Sequence, residues 1–314
     1  MELRQLRHFL EIVDSASFCK AAEKLHITQP ALSKSMRNLE DSLGVKVLDR
    51  LGSGVSPNAY GEVLYKYATL VTQELRRAVD EIDDMRGKGA GVVRVGAGVT
   101  ILKYFLPWAI RSYISAEEGS SVHMRQGLRS RLLAMLRRGE LDLVVASVDP
   151  SREEEDLYKE ILFEDKLTVV ASKNHPMFGR AEALSLEDLS TYKWVLPDTT
   201  SEPEGDRIVT AFKRAQLTPP QIVVRTGSSI FMATLLRDTD YLSYLPQALI
   251  ESDPEFSHLA PLNTESIWEK VHLGVYRRRK GVLLPPVQRF LKILRSVAAE
   301  AGPNAPERLE SAHV

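Results

Sequence analysis

Cysteine is almost absent from the chain, which contains one, Cys19, among 314 residues. A single cysteine excludes a disulfide framework within the chain and a zinc site built from cysteines. Cys19 follows Phe18 and precedes Ala22 by one helical turn. We therefore expect it to fill a small gap in a helical core, and a reactive thiol is the alternative.

Long hydrophobic runs and an excess of either charge are also missing. No apolar stretch is long enough to span a bilayer, and the N-terminal "MELRQLRHFLEIVDSAS" carries charges every few residues, unlike a signal peptide. The formal net charge is -1, so overall charge does not indicate a nucleic-acid partner. These absences predict a cytoplasmic protein without a membrane partner, and the length predicts two or three domains.

The signatures of an enzyme are missing as well. The 7 histidines lack the spacing of metal ligands, and no serine stands in a nucleophile elbow. "GAGVTI" begins like a dinucleotide-binding loop, but Ile101 stands where that motif needs its third glycine. We expect no catalytic residues, no metal and no cofactor.

Three helical patterns occupy the start of the chain. Their apolar positions are Leu3, Leu6, Leu10 and Val13 in the first, Phe18, Ala21, Ala22 and Leu25 in the second, and Leu32, Met36, Leu39 and Leu43 in the third. Ser17 and Thr28 are suited to cap the second and third helices, and Pro30 falls in the first turn of the third. Short β-prone pieces around Gly52 and Gly54 then predict a hairpin, or wing.

The third helix has a polar face as well as an apolar one. Gln29, Ser33 and Arg37 are four residues apart, with Pro30 and Lys34 alongside, and no acid occurs between Lys24 and Glu40. This is the pattern of a helix-turn-helix motif, in which the second helix of the pair enters the major groove. The alternative is a plain helical hairpin with a solvated polar face.

A strict heptad pattern follows from Ala59 to Met85. Its apolar positions alternate steps of four and three, and they are Leu64, Ala68, Val71, Leu75, Ala78, Ile82 and Met85. A narrow seam with charged flanks predicts a dimerising helix, and the alternative is an amphipathic helix that lies on its own domain. "RGKGAG" then ends the helix and indicates a hinge.

Beyond the hinge the pattern is α/β. "VVRVGAG", "LDLVVAS", "KLTVVAS" and "QIVVRTG" are short apolar runs typical of buried parallel strands, and helical stretches separate them. One or two open sheets with crossover helices are predicted. The residues after Gly302 are short and polar, which predicts a disordered tail.

The N-terminal segment resembles the DNA-binding domain of the LysR-type transcriptional regulators. The matching residues are Ala21, Ala22, Leu25, Thr28, Gln29, Pro30, Ala31, Leu32, Ser33, Leu39, Glu40, Leu43 and Gly44. The family's wing usually reads Leu-Phe-x-Arg, and Val47 to Arg50 keep the arginine but not the phenylalanine. Pro57 to Gly61 depart from the usual Leu-Thr-x-x-Gly, whereas "GVVRVG", "LRRGELDLVV" and "YLSYLP" are versions of later family landmarks.

This resemblance implies an architecture for the whole chain. It combines an α-rich winged helix-turn-helix domain (1–58), a dimerising linker helix (59–86), a hinge (87–91) and a two-lobed α/β effector domain like the type 2 periplasmic binding proteins (92–301). The first subdomain takes about 92–165 and 270–301, the second about 166–269, and 302–314 form the tail. The implied function is a bacterial-type regulator, activator or repressor, that binds an interrupted dyad in promoter DNA as a homodimer and homotetramer, with RNA polymerase as a further partner.

Candidate site residues follow from the same patterns. For DNA they are Thr28, Gln29, Pro30, Ser33, Lys34 and Arg37 on the helix, with Arg50 and Ser53 on the wing; for dimerisation they are Leu64, Ala68, Val71, Leu75, Ala78 and Ile82. Ligands of open α/β sheets bind at the carboxyl ends of strands, where N–H groups favour anions. The residues expected there to hold a small anionic effector are Thr100, Ile101, Ser147, Thr199, Thr200, Ser201, Ser228 and Ser229. The alternative is that these hydroxyls only cap helices.

A two-lobed solute-binding protein, or an enzyme on the same scaffold, is the competing class of function. A secreted binding protein would carry a signal peptide and no DNA-binding domain, and an enzyme would need a converged set of acid, base or metal ligands. The sequence indicates neither.

Overall fold

The computed structural model describes residues 1–51, 54–85, 91–98, 101–179, 182–198, 207–264, 270–279 and 283–301. The chain forms two compact units, an N-terminal one within residues 1–88 and a C-terminal one made of nearly all of the rest. Among the described helices, none has both the length and the apolar character needed to cross a membrane.

Three helices begin the N-terminal unit: α1 (Leu3–Ser15), α2 (Phe18–Lys24) and α3 (Gln29–Leu43). The predicted caps are confirmed, because the Ser17 hydroxyl accepts the Lys20 N–H and the Thr28 hydroxyl accepts the Ala31 N–H. Helix α3 ends at Gly44, whose φ of 69° lies in the left-handed region that favours glycine.

The core of this unit differs in phase from the predicted stripe of α1. Leu6 is buried as expected, but Phe9 and Ile12 are the fully buried residues of α1, while Leu10 and Val13 are only partly covered. Helix α1 contacts α2 and α3 and also the long helix that follows, so its buried face is wider than one seam.

Two further predictions for the N-terminal unit were wrong. Cys19 is exposed, with its Sγ 3.8 Å from the Glu23 Oε1, so it does not fill a core. Leu43, placed on the apolar side of α3, is 36% exposed because it lies in the last turn of the helix, at the edge of the core.

The wing is an antiparallel hairpin of β1 (Leu48–Leu51) and β2 (Gly54–Pro57), as predicted. The Val55 N–H donates to the Ala16 carbonyl at 3.0 Å, which attaches the hairpin to the end of α1.

The long helix, α4, runs from Ala59 to Met85. The Asn58 side-chain oxygen accepts the N–H groups of Tyr60 and Gly61 and so caps its start. Gly61 is buried against the chain before the wing, and a Cβ added there would lie 2.0 Å from the Val47 carbonyl oxygen. The Tyr65 hydroxyl donates to Asp14 at 2.6 Å, which fixes α4 on α1.

The C-terminal unit contains ten strands, eight α-helices and two short 3₁₀ helices (Pro176–Gly179 and Pro254–Phe256) in its described residues. The strands are β3 (Val92–Ala97), β4 (Ser121–Gln126), β5 (Leu143–Val148), β6 (Leu157–Asp165), β7 (Leu167–Ser172), β8 (Trp194–Pro197), β9 (Ile222–Thr226), β10 (Ser243–Pro246), β11 (Leu259–Pro261) and β12 (Val271–Arg278). The helices are α5 (Ile101–Tyr104), α6 (Leu106–Ala116), α7 (Arg129–Arg137), α8 (Leu186–Ser190), α9 (Arg207–Arg214), α10 (Ser229–Arg237), α11 (Gln247–Ser252) and α12 (Pro285–Ala301).

Five strands form the sheet of a first lobe, in the order β4-β3-β5-β12-β6. Strand β3 is parallel to β4 and β5, whereas β12 is antiparallel to β5 and β6. The chain then passes through Lys166 into β7, which begins a second lobe of β7 to β11.

The second lobe has two small sheets, β10-β7-β11 and β8-β9, joined by a bridge between Trp194 and Leu242. Strands β8 and β9 are parallel, but β7 is antiparallel to both of its neighbours. The prediction that "KLTVVAS" is a parallel strand was therefore wrong. An apolar run indicates that a strand is buried on both faces, but it does not indicate whether the neighbouring strands are parallel or antiparallel to it. That direction depends on connections far along the chain.

Candidate DNA-binding surface and ligand cavity

The outer face of α3 carries the polar side chains that were predicted to bind DNA. Five of the six are exposed and Ser33 is half-buried; the exposed ones are Thr28, Gln29, Pro30, Lys34 and Arg37. The Thr28 hydroxyl accepts the Ala31 N–H at 3.4 Å, so it holds the start of the helix. Gln29, Ser33 and Arg37 lie on successive turns of one face, which matches the reach of a recognition helix along base edges.

Two side-chain contacts hold α3 in place, and the sequence patterns did not predict them. The His8 Nδ1 and the Ser35 Oγ are 2.8 Å apart and join α1 to α3. Burial, and then the nearby Arg4 guanidinium, lower the pKa of His8, which favours its neutral form. The Glu40 carboxylate accepts the Val47 N–H at 3.0 Å and so ties α3 to the chain entering the wing.

The wing residues are less completely described. Arg50 lies in β1 opposite Val55, on the hairpin that follows α3, and only its backbone is described. Ser53 lies outside the described residues.

Helix α4 has two neighbouring apolar stripes instead of one seam. Leu64 and Ala68, the first two residues of the predicted seam, pack on the core of the N-terminal unit. The remaining described positions of the seam are exposed: Val71, Leu75, Ala78 and Ile82. Tyr60, Val63 and Tyr67 are about 60% exposed and extend this exposed stripe towards the start of the helix.

The C-terminal unit contains a cavity of about 240 Å³ between its two lobes. Its wall is mostly apolar, and the apolar side chains come from both lobes: Ile101, Leu128, Ala146, Val271 and Leu273 from the first, and Leu167, Pro197, Met232, Leu245 and Pro246 from the second. The carboxyl ends of β3, β5, β8 and β9 reach this cavity, as expected for a ligand site in an open α/β sheet.

The structure brings some of the predicted effector residues to the cavity. Ile101, Ser147 and Ser229 line it. Ser228 does not line it and instead caps α10, where its hydroxyl accepts the Phe231 N–H at 3.2 Å. The other predicted residues lie outside the described part of the chain: Thr100, Thr199, Thr200 and Ser201.

Four charged residues from the described part of the chain line the cavity, and the sequence reasoning missed them all: Arg129, Asp165, Asp198 and Arg207. Arg129 begins α7 and is 9% exposed, and its guanidinium donates to the Ser147 carbonyl at 3.4 Å. A signal for Arg129 was present, because it follows the end of β4 by three residues. The prediction considered only hydroxyl groups at strand ends, and so it passed over an arginine.

Asp165 is held at the point where the chain leaves the first lobe. Its carboxylate accepts the Tyr104 hydroxyl at 2.8 Å and the Lys166 N–H at 2.7 Å, and a further hydrogen bond from the Ala248 N–H. Burial raises the pKa of Asp165, against the effect of these hydrogen bonds. Burial and the Asp165 carboxylate also raise the pKa of Tyr104, so its hydroxyl remains the donor.

Helix α5 connects the cavity wall to the second lobe. The Lys103 ammonium pairs with Asp253 at 2.9 Å and with Glu255 at 2.6 Å, while the next residue, Tyr104, lines the cavity. Residues at the cavity are therefore adjacent in sequence to an ion pair that joins α5 to the segment after α11.

No group of three or more metal-binding side chains occurs among the residues that the structure describes. His175 contributes to packing instead. Its Nδ1 accepts the Met177 N–H at 3.2 Å, its ring lies 4.7 Å from that of Tyr192, and burial lowers its pKa.

Two family models match the chain. The model described as LysR substrate binding domain matches residues 86–299, and the model described as bacterial regulatory helix-turn-helix protein, lysR family, matches residues 3–62. A curated relative, the HTH-type transcriptional regulator PcaQ of Agrobacterium fabrum, is 30% identical over 302 residues, which are 96% of this chain and 96% of that protein.

Solved structures share the fold. CbnR complexed with its target DNA has a TM-score of 0.67 at 19% identity, with 94% of this chain and 99% of that chain covered. A mutant of OxyR from Corynebacterium glutamicum has a TM-score of 0.57 at 27% identity, with 98% of this chain and 94% of that chain covered.

Proposed function

The chain belongs to the LysR family of transcriptional regulators, and from this premise we propose that it binds an interrupted dyad in promoter DNA and responds there to a small anionic effector. The family gives it a helix-turn-helix DNA-binding domain and an effector-binding domain, and places it among regulators instead of enzymes. A solute-binding protein or an enzyme on the same scaffold is not favoured, because the lysR helix-turn-helix model matches residues 3–62.

The observation that carries the DNA-binding proposal is the exposed polar face of α3. In this proposal Gln29, Ser33 and Lys34 contact base edges, and Arg37 lies further along the same side. Thr28 and Pro30 set the first turn that enters the groove. Arg50 and Ser53 on the wing contact phosphates, which position the protein without reading sequence.

Dimerisation is assigned to the exposed stripe of α4. Val71, Leu75, Ala78 and Ile82 remain in the proposed interface, and Tyr60, Val63 and Tyr67 join it. Leu64 and Ala68 pack on the core of the N-terminal unit, so in this proposal they hold α4 on that unit and do not contact the partner directly. A symmetric pair of recognition helices then matches two half-sites, and two such dimers form the proposed tetramer.

The effector is proposed to bind in the cavity between the lobes. Ile101, Ser147 and Ser229 line that cavity. The proposed site also includes Thr100, Thr199, Thr200 and Ser201, which lie outside the described residues. Ser228 contributes as the cap of α10. A ligand that binds one arrangement of the lobes more tightly shifts the population towards that arrangement. In this proposal the shift changes how the protein contacts promoter DNA and RNA polymerase, which activates or represses transcription in the cytoplasm.

The DNA-binding proposal is tested with a duplex that the wild-type protein selects from random sequences. Gln29→Ala or Ser33→Ala should cost about 1–3 kcal/mol at particular base positions and little elsewhere. Arg50→Ala should weaken all duplexes alike and reduce the slope of log affinity against log salt by about one. Arg131→Ala removes an exposed arginine of the C-terminal unit and is the matched control. The assignment is wrong if Arg50→Ala changes base preference while Gln29→Ala does not.

A further inference from the structure

The cavity between the lobes is small and mostly apolar. Its volume of about 240 Å³ is below the roughly 300–1,000 Å³ of pockets that hold drug-sized ligands. Ten of its lining residues are the apolar ones named above, five from each lobe. Polar ligand atoms that face these walls would lose hydrogen bonds to water without replacement, which is costly. The cavity therefore suits a small ligand with a largely apolar surface.

Two helices of the second lobe begin at one side of this cavity. Strands β8 and β9 are parallel neighbours, with Pro197 opposite Thr226, and they are followed along the chain by α9 and α10. The carboxyl ends of parallel strands lie at one edge of their sheet, which is where ligands of open α/β sheets bind. Arg207 is the first residue of α9 and Ser229 is the first residue of α10, and both line the cavity.

Ser229 has a side-chain hydroxyl that the fold leaves unused. The residue is 6% exposed, and its hydroxyl makes no hydrogen bond within the part of the chain that the structure describes. The buried hydroxyls of Ser120 and Ser252 also have no partner there, but they are closed off, whereas that of Ser229 retains access to open space. The cavity is the space that Ser229 lines. A buried hydroxyl without a partner is costly, so this one indicates a ligand.

The start of α10 adds backbone donors beside this hydroxyl. The first N–H groups of a helix have no partner inside it, and in α10 the Ser228 hydroxyl accepts the N–H of Phe231. The N–H groups of Ser229 and Ile230 have no acceptor among the described residues. Helix α10 has nine residues, and the positive end of its dipole lies at these donors. Such a helix start favours a negatively charged group.

Arg207 supplies a cation on the same lobe. It is half-buried, and within the described ranges its guanidinium has no hydrogen bond or ion pair. A cation in the first turn of a helix lies against the positive end of the dipole, so this position does not stabilise α9. The other charged residues named for this wall, Arg129, Asp165 and Asp198, are already engaged with other groups of the protein. Among these four, Arg207 is the cation that is available to a ligand.

From these observations we propose that the second lobe carries an anion-binding site, made of Arg207, the Ser229 hydroxyl and the first N–H groups of α10, which binds the carboxylate of a small organic acid. The apolar body of this acid lies against the walls of both lobes. The inference rests on the proposed function, because it names the ligand class and the anchoring residues of the same effector site.

A carboxylate on an apolar body matches both parts of the cavity. Its two oxygens have about four acceptor positions, enough for a guanidinium and for the donors at the start of α10. Phosphate or sulfate could accept from the same donors but would leave the apolar walls in contact with water. The corresponding amide keeps the body but has one oxygen and no charge. The acid should therefore bind more tightly than its amide and more tightly than either inorganic anion.

The test uses the full-length protein and matched probes at millimolar concentration. The acids are butanoate, 4-methylpentanoate, benzoate and phenylacetate; the neutral probes are their amides; the anions without an apolar body are phosphate and sulfate. Thermal shift ranks the probes, and calorimetry measures Kd for those that raise the Tm. We expect at least one acid to bind at least about tenfold more tightly than its amide and than both inorganic anions.

Substitutions in α9 then test the cation. Arg207→Gln should weaken binding of the best acid by about tenfold or more and leave binding of its amide nearly unchanged, because only the charged contact is lost. Arg207→Lys keeps the charge without the planar fork and should recover part of the loss. Arg214→Gln removes an exposed arginine at the other end of α9 and should bind the acid like the wild type.

Substitutions of two neighbouring serines test the start of α10. Ser229→Ala should weaken binding of the acid by about tenfold, because a hydrogen bond to a charged group is lost. Ser228→Ala is the matched control, since it removes a hydroxyl that caps the helix and does not line the cavity, so the acid affinity should stay the same. If Arg207→Gln does not fold, the ratio of acid to amide affinity in Arg207→Lys and Ser229→Ala still decides the assignment.

The proposal is wrong if no acid raises the Tm, if acid and amide bind equally, or if phosphate or sulfate binds as tightly as the best acid. It is also wrong if Arg207→Gln or Ser229→Ala keeps the wild-type affinity for the acid. DNA retardation with the same preparations separates this failure from failure of the proposed function. A protein that binds its selected duplex but fails these tests remains a regulator with a different ligand or anchor, whereas a protein that binds no duplex contradicts the proposed function.

Discussion

The two units present their functional side chains in opposite ways. In the N-terminal unit, the residues proposed to contact DNA from α3 and its cap lie within ten consecutive positions, Thr28 to Arg37, and most are exposed. In the C-terminal unit, the cavity collects side chains from Gly98 to Leu273, and several of them, such as Arg129 and Asp165, are buried. The first surface is made by one helix, and the second by the topology of a whole unit.

This difference has an energetic consequence. Apart from the cap Thr28, an exposed side chain on α3 contributes little to the free energy of unfolding, so its substitution should change DNA binding with little change in stability. A buried residue at the cavity both packs and lines the proposed ligand site. Asp165 is an example, because it lines the cavity and accepts hydrogen bonds from residues of both lobes. Binding and stability should therefore be separable in the first unit and partly coupled in the second.

The largest expected effects come from substituting two glycines, one in each unit, which tests whether each unit can unfold without the other. A Cβ at Gly61 would lie 2.0 Å from the Val47 carbonyl oxygen, and a Cβ at Gly274 would lie 2.1 Å from the Glu160 carbonyl oxygen. Each alanine substitution should cost about 3 kcal/mol or more in its own unit, because backbone must move to admit the methyl group.

The readout is DNA retardation together with the thermal unfolding profile. Gly61→Ala should lose DNA binding and keep the unfolding transition of the C-terminal unit. Gly274→Ala should keep DNA binding and lose, or strongly lower, the unfolding transition of the C-terminal unit. Gly179→Ala is the control, since an added Cβ there meets no atom within 4 Å. If either variant loses both DNA binding and the unfolding transition of the C-terminal unit, the two units are not independent.

A smaller effect should distinguish the two stripes of α4. Leu75 is 43% exposed and Leu64 packs on the core of the N-terminal unit. Leu75→Lys should raise the dissociation constant of the dimer by about a hundredfold without unfolding the monomer, because it buries a charge only in the dimer. Leu64→Lys should instead destabilise the N-terminal unit.

Sedimentation and thermal unfolding of both variants decide this. Gln73→Lys places the same charge on the opposite side of α4 and should leave the dimer intact. A Leu75→Lys protein that stays dimeric at low micromolar concentration would move the interface elsewhere.

The smallest effect concerns two consecutive serines at the start of α10. Ser228 caps the helix, so Ser228→Ala should cost about 1 kcal/mol of stability and leave ligand affinity unchanged. Ser229 is buried in the wall of the cavity, so Ser229→Ala should change ligand affinity more than stability. Calorimetry with a metabolite that raises the Tm of the wild-type protein measures ligand affinity, and thermal unfolding measures stability. Both assignments are wrong if Ser228→Ala changes the affinity while Ser229→Ala changes only the stability.

Much of the N-terminal unit could be predicted from the sequence because its signals are local. The caps at Ser17 and Thr28, the hairpin and the extent of α4 each depend on residues within a few positions of one another. The phase of α1 and the exposure of Cys19 were not predicted, because they depend on which other helices surround each face.

The cavity was predicted only in outline. The rule that ligands bind at strand ends led to Ile101, Ser147 and Ser229, which the structure brings to one place. Asp165 and Tyr104 could not be paired from sequence, because 61 positions separate them and the tertiary fold alone makes them neighbours. The antiparallel direction of β7 could not be predicted for the same reason, because an apolar pattern carries no information about which strands lie beside it.

In the proposed dimer, the two stripes of α4 would set α3 and the dyad axis in a fixed angular relation. Gly61 and Tyr65 face the N-terminal core, whereas Val71 and Leu75 belong to the exposed stripe. A helix turns about 100° and advances about 1.5 Å per residue. Adding one residue between the two sets would therefore rotate the partner by about a quarter turn about the helix axis, whereas adding seven would bring it back to within about 20° and about 10 Å further along. If the dimer forms as proposed, insertions in this helix should be tolerated only in steps that restore the angle, and the spacing between the two α3 helices should change in the same steps.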